Sequence, residues 1–244
     1  MKSMMALSMH KAGSTVANYI FVEILKEKGY DIDEISKRVM GSPLPEHEVY
    51  SQYESKISLE NMYYGIARSP RAQTMDVLKK IRLVVQVRDP RDCITSQYFS
   101  LAASHIVPED AEKKKKFLAE RQRASATPID KFAIEAVGGY VNRLETLKGI
   151  LETHEDILLL KYEDMVEDSQ KWLDDFSTFV DQPITPDIND RIKKLLNFNV
   201  PYEDASRHKR QVKPGDHKRK LSQETISSMN DKLSDLLNTF GYEV

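Results

Sequence analysis

Lys11, Gly13, Ser14 and Thr15 stand together between two apolar stretches. Upstream, Met4 to Met9 is short, apolar and suited to a buried strand. Downstream, Val16, Ala17, Ile20, Phe21, Ile24 and Leu25 fall on one stripe at helical spacing. A strand that turns through small residues into a helix aims free backbone N–H groups and the positive helix end at one point. Lys11 adds a full positive charge there. The guest such a turn suits is a phosphate or similar oxyanion, cradled by Lys11, Ala12, Gly13, Ser14 and Thr15. Gly-Ser-Thr also makes ordinary turns beside a solvated lysine, so the turn alone leaves both readings open. It is not a Walker A loop, in which Lys directly follows the last Gly and is itself followed by Ser or Thr. Here Lys11 precedes Gly13, which disfavours an ATPase or GTPase.

The elements around this turn repeat its design. Ile81 to Val87 is nearly continuous in apolar and β-branched residues, the pattern of a strand buried on both faces of a parallel sheet. It runs into Arg88-Asp89-Pro90-Arg91-Asp92, with Pro90 suited to a helix start, and then into a helical stretch to about Ala103. In a parallel sheet both turns fall at the carboxyl edge, where ligands bind. Ile157 to Lys161 predicts a third buried strand, and Tyr63 to Ala67 a short one ended by Arg68-Ser69-Pro70-Arg71. Helices are predicted over Pro128 to His154, with Gly138-Gly139 as a point of close packing or bending, and over Gln170 to Val180, Asp187 to Leu196 and Ser222 to Phe240. Ser42 to Ser58 shows no clear period and reads as a loop or excursion; the lysine run at 113–116 reads as a solvated helix face or lid. Strands alternating with helices predict a single α/β domain over 1–244, a three-layer sandwich around a mostly parallel sheet.

Composition bounds the class. With 244 residues, 40% hydrophobic and 30% charged, the chain is long enough for a full core. A formal net charge of -2 argues against bulk attraction to nucleic acid. No apolar run reaches the roughly 18 residues of a membrane span. The single cysteine, Cys93, excludes an internal disulfide and suits a reducing compartment, so a cytoplasmic location is expected. No metal-ligand spacing stands out. Residues 207–220 hold seven Lys or Arg and two His against one Asp, with a turn at Pro214-Gly215. The cradle, the Arg-Asp-Pro-Arg-Asp turn and this basic loop together suit one ligand with two separate anionic groups.

These residues resemble the sulfotransferases that use 3′-phosphoadenylyl sulfate, PAPS. His10-Lys11-Ala12-Gly13-Ser14-Thr15 looks like the family's Lys-Ser-Gly-Thr-Thr loop for the 5′-phosphosulfate. Arg88 through Asp92 with Ser96 resembles its 3′-phosphate motif, in which an Arg and a Ser eight residues later grip the phosphate. Lys161-Tyr162-Glu163-Asp164-Met165 is similar to its Tyr-Glu-Asp-Met segment, and Arg210 through Lys218 to its closing loop. The four motifs, in family order, span residues 6 to 220. The resemblance implies sulfuryl transfer from PAPS, with release of 3′,5′-ADP, to a hydroxyl on a small-molecule, lipid or carbohydrate acceptor. It implies that Lys11 stabilises the phosphosulfate and that Arg88, Ser96, Arg210 and Lys213 hold the 3′-phosphate. Nothing in it fixes the oligomeric state. The rival readings are a nucleotide kinase or other phosphoryl transferase on a related fold, against which the missing Gly-Lys-Ser/Thr speaks, and a non-catalytic PAPS-binding module.

The chain also departs from the family pattern. Val16 stands where an aromatic residue stacks on adenine, which leaves Phe198 or Tyr202 to pack on the base. Gln211 and Val212 replace the Lys-Gly of the closing loop, and His217 replaces its Trp. The Lys-Thr-His segment that supplies the family's catalytic base has no counterpart near Tyr64 to Arg68. By position, His10, His47, Glu60 and His105 are the candidates for the base.

Overall fold

Residues 4–8 form a strand with no face left open, and the sheet is built outward from it. The computed structural model describes residues 1–104, 107, 110–198 and 212–244. Its strands are β1 (Met4–Ser8), β2 (Asp31–Ile32), β3 (Met62–Ala67), β4 (Arg82–Val87) and β5 (Ile157–Lys161). They pair in the order β2-β3-β1-β4-β5, and every pair is parallel. All five residues of β1 are buried, so both faces of the sheet are covered there, as the apolar runs require. The parallel α/β expectation is met. The chain leaves β1 toward β3 and β2 on one side and reaches β4 and β5 on the other. The carboxyl ends of β1 and β4 therefore flank a switch point in strand order, where open α/β sheets bind ligands.

The helices are α1 (Ser14–Lys28), α2 (Ile35–Gly41), α3 (Glu46–Glu54), α4 (Pro90–Phe99), α5 (Ala111–Ala126), α6 (Ile129–Thr153), α7 (Tyr162–Glu167), α8 (Ser169–Val180), α9 (Pro186–Ile192), α10 (Asp216–Lys220) and α11 (Gln223–Thr239). A π-helical stretch, Ser100–Ser104, extends α4. Two expectations need correction. Ser42 to Ser58 is not a plain loop: α3 lies inside it and buries Val49, Tyr50 and Tyr53. Gly138-Gly139 does not mark close packing, since a methyl group at either would meet nothing within 4 Å, and α6 runs through them. The lysine-rich segment does form a helix, α5.

By its contacts the chain divides into two units, Met1–Arg88 with Glu145–Asn197 and Asp89–Leu144 with Phe198–Val244. The first holds the whole sheet. Its core includes a cluster in which Phe21 of α1 stacks on Trp172 and Phe176 of α8, at centroid distances of 5.4 and 4.2 Å. Burying each such ring is worth about 2–3 kcal/mol. The second unit gathers around Arg91, which is 3% exposed. Its guanidinium grips both oxygens of Asp89 at 3.0 and 2.7 Å and donates to Asn230 Oδ1 and the Glu243 carbonyl, each at 2.7 Å. Arg91 thus ties the start of α4 to α11 and the last residues of the chain. Removing one partner of a buried ion pair leaves the other charge stranded. Arg91→Ala should lower unfolding stability by about 3 kcal/mol, read from urea melts. A loss under half that size would show that these contacts are not the anchor.

Candidate active site

β1 ends at Ser8, and Met9 to Gly13 carry the chain to the start of α1. The loop uses left-handed backbone twice, at Lys11 (φ 69°) and at Gly13 (φ 72°). Lysine rarely adopts this region, so the surroundings must hold it there. Gly13 is the N-cap of α1 and has no side chain to satisfy the first-turn amides. Those amides sit at the positive end of the helix dipole, two residues after Lys11 in the chain.

The hold on the loop comes from β4 and from the segment after β5. Arg88, one residue past β4 and 4% exposed, donates from Nη1 to the Lys11 carbonyl at 3.2 Å. Its guanidinium lies over the Tyr162 ring, 4.3 Å from the centroid. That ring presses on Gly13: a Cβ built there would stand 2.5 Å from Tyr162 Cδ2 and 2.8 Å from Met165 Cε. Gln86, fully buried in β4, donates from Nε2 to the Ala12 carbonyl at 3.4 Å and accepts from Trp172 Nε1 at 3.2 Å. Its backbone carbonyl accepts from Ser8 Oγ at 2.7 Å. Arg88, Gln86 and Tyr162 therefore fix three successive loop residues from below. Gln86 and the packing role of Tyr162 were not assigned from the sequence. The available signal was one polar residue inside the otherwise apolar run 81–87.

The acidic residues of the turn after β4 serve the second unit. Asp89 caps α4 by accepting from the Arg91 amide at 2.9 Å. Asp92, fully buried, accepts from the amides of Gly215 and His217 at 2.8 and 2.9 Å and faces His217 Nδ1 at 2.7 Å. This explains His217 in the place of Trp: it is 1% exposed and is the Asp92 partner that pins the turn ahead of α10. Ser96 is half-buried on α4, and Lys213 is exposed just before that turn. Arg210 and Tyr202 lie outside the described residues, as does His105. Phe198 is half-buried.

Among the base candidates, His10 is exposed within the loop and His47 is exposed on α3. Glu60 is not brought to the loop. It forms a bridge with Lys2, ahead of β1 and β3, at the amino edge of the sheet. Because strand direction is common to the whole sheet, that is the end away from Lys11.

The sulfotransferase domain family matches the chain over residues 2–237. The chain belongs to that family. No curated protein sequence is significantly similar to this sulfotransferase. Among solved structures it is similar to mouse sulfotransferase SULT7A1 complexed with PAP, at 13% identity and a TM-score of 0.66, covering 97% of this chain and 84% of that one. It is also similar to retinol dehydratase in complex with androsterone and PAP, at 15% identity and a TM-score of 0.60, covering 96% and 80%. A third is sulfotransferase STF9 from Mycobacterium avium, at 10% identity and a TM-score of 0.54, covering 100% and 78%. At these identities the likeness is one of fold.

The packing around Gly13 makes a direct prediction for this sulfotransferase. Gly13→Ala combines a left-handed backbone with a methyl group inside the Tyr162 ring. It should cost about 2–3 kcal/mol of stability by thermal or urea melts. A neutral substitution would mean the loop is not locked as described.

Proposed function

We propose that the chain transfers the sulfuryl group of PAPS to an acceptor hydroxyl, releasing 3′,5′-ADP, and that residues 1–244 act as one sulfotransferase domain. The observation that carries this reading is the locked loop: an uncapped helix start and a lysine, held in left-handed backbone by Arg88 and Tyr162. It fits a phosphosulfate group, because the first-turn amides of α1 have no side-chain cap and the glycine lets Tyr162 and Met165 pack close against the loop. The family match spans segments of both units, and structures of the same fold carry PAP.

In the reaction the acceptor oxygen attacks sulfur in line with the bond to the 5′-phosphate oxygen. The new S–O bond forms as that bond breaks, and charge gathers on the leaving phosphate. Lys11 and the amides of Gly13 to Thr15 stabilise it as an oxyanion hole does, with no reorganisation at the moment of transfer. The acceptor proton leaves to a base; of the residues weighed, His10 and His47 remain on described parts of the chain away from the amino edge. Family spacing assigns Arg88, Ser96, Lys213 and Arg210 to the 3′-phosphate. No metal is called for, since protein charge does the neutralising. The acceptor offers a hydroxyl on a small molecule, lipid or carbohydrate; retinol dehydratase is known with androsterone and with retinol. Among the described residues no helix is long and apolar enough to cross a membrane, which fits the cytoplasmic assignment we favour.

A thermal-shift panel tests the donor assignment: 3′,5′-ADP should stabilise the protein more than 5′-AMP or ATP with Mg²⁺. A larger shift with ATP and Mg²⁺ would return the chain to the phosphoryl transferases. Lys11→Ala should lower the transfer rate about 100-fold, the usual loss for one oxyanion-hole donor, with a smaller effect on 3′,5′-ADP affinity. An undiminished rate would remove Lys11 from the chemistry.

A further inference from the structure

β2 ends at Ile32, opposite Tyr63, and the next amide, that of Asp33, donates to the Tyr63 carbonyl at 2.9 Å. Glu34 follows at once, so it leaves the sheet at the carboxyl edge, beside the end of β3. There it lies across Gly65. A Cβ on that glycine would meet Glu34 Cγ, Cβ and Cα at 3.0, 3.1 and 3.2 Å. The stretch from Tyr64 to Arg68 contains no histidine or carboxylate, and its glycine leaves the room that Glu34 fills.

The carboxylate is fixed from behind. Glu34 is the N-cap residue of α2, yet its side chain makes no cap hydrogen bond. It turns back to α1 instead, where Oε1 accepts from Asn18 Nδ2. Asn18 is buried, and its Oδ1 accepts from the hydroxyl of Tyr63, itself fully buried in β3, at 2.9 Å. Burial, with Glu34 adding to it, pushes the Tyr63 phenol well above its ordinary pKa, so it acts as a donor and sets which way the Asn18 amide points. Asn18 stands four residues after Ser14, on the same face of α1 and about 6 Å along its axis. Tyr63 and Asn18 therefore set one carboxylate about a turn of helix from the proposed oxyanion site. Its other oxygen, Oε2, pairs with Lys37, whose side chain is 70% exposed; a pair of this kind is weak and open to exchange. The Glu34 side chain is 10% exposed, shielded from bulk water without being sealed. It lines a cleft of about 500 Å³ beside α1, with Tyr19, Val22 and Ile32 as the apolar part. An acceptor with an apolar body can lie there with its hydroxyl at the carboxylate.

We propose that Glu34 is the catalytic base of this chain, with Asn18 and Tyr63 as its positioning residues. This rests on the sulfotransferase reading of the loop. As the acceptor oxygen bonds to sulfur, its proton passes to the Glu34 carboxylate. The bond from sulfur to the 5′-phosphate oxygen breaks, and its electron pair stays on the phosphate. Glu34 gives the proton to water once the product has left.

The experiment offers labelled PAPS to the full chain with 2-naphthol, 1-hexanol, glucose or water alone as the acceptor, and carries the best of these forward. Glu34→Gln should lower kcat about 100-fold or more, the usual loss for a general base. The KM for PAPS and the affinity for 3′,5′-ADP should stay within about twofold. Where Glu34→Gln does not fold, Glu34→Asp replaces it, because drawing the carboxylate back by one methylene should still cost about tenfold. A smaller fall in kcat overturns the proposal. A matching loss of 3′,5′-ADP affinity also overturns it, by making Glu34 a brace for the loop. So does a wild-type chain that binds 3′,5′-ADP but transfers to none of the acceptors, since it would then have no working base. Failure of 3′,5′-ADP to bind the wild-type chain, read before any PAPS is added, would instead sink the sulfotransferase reading.

Discussion

Between Gly13 and the ring of Tyr162 there is no room for a methyl group. That single contact fixes much of what surrounds it. The ring is held by the guanidinium of Arg88 on its face, and Arg88 in turn holds the Lys11 carbonyl. Lys11 can then keep a left-handed backbone that its side chain disfavours, and α1 starts with first-turn amides that no side chain caps. Strain at Lys11, a ring against a glycine and a buried cation would each be costly alone. Joined, they hold the loop in one shape, and on the proposed reading that shape is an oxyanion site formed before any substrate arrives, which is where electrostatic catalysis gains most.

The turn after β4 shows one short motif doing two jobs. Arg88 turns back to the loop, while Asp89, Arg91 and Asp92 organise the second unit. His217 belongs to that second job. As a partner for buried Asp92 it fixes the turn at Gly215, so the exchange of Trp for His keeps the segment ordered by a different interaction.

The strands were legible where burial on both faces leaves a continuous apolar run, as at Ile81 to Val87 and Ile157 to Lys161. β2 was not, because two residues, one of them Asp31, carry no period. α3 was hidden by prolines and glutamates around a buried face of only Val49, Tyr50 and Tyr53. The strand-to-helix turn could be read from residue types because its signal is local: Lys11 to Thr15 are consecutive between two apolar stretches. What holds it could not, since Gln86, Arg88 and Tyr162 reach the loop across separations that only the parallel pairing of β1, β4 and β5 brings together. Glu60 shows the converse error: it was a candidate by its position in the excursion where an acceptor could enter, but it precedes β3 and so stands at the opposite edge.

The preformed loop is open to direct observation by titrating ¹⁵N-labelled protein with 3′,5′-ADP and following its backbone amides by NMR. The amides of Gly13, Ser14 and Thr15 should shift saturably with the nucleotide, and with Arg88→Lys those shifts should shrink while the amide of the buried strand residue Val85 stays in place. Saturation of binding with the three loop amides unmoved would contradict an oxyanion site at this turn.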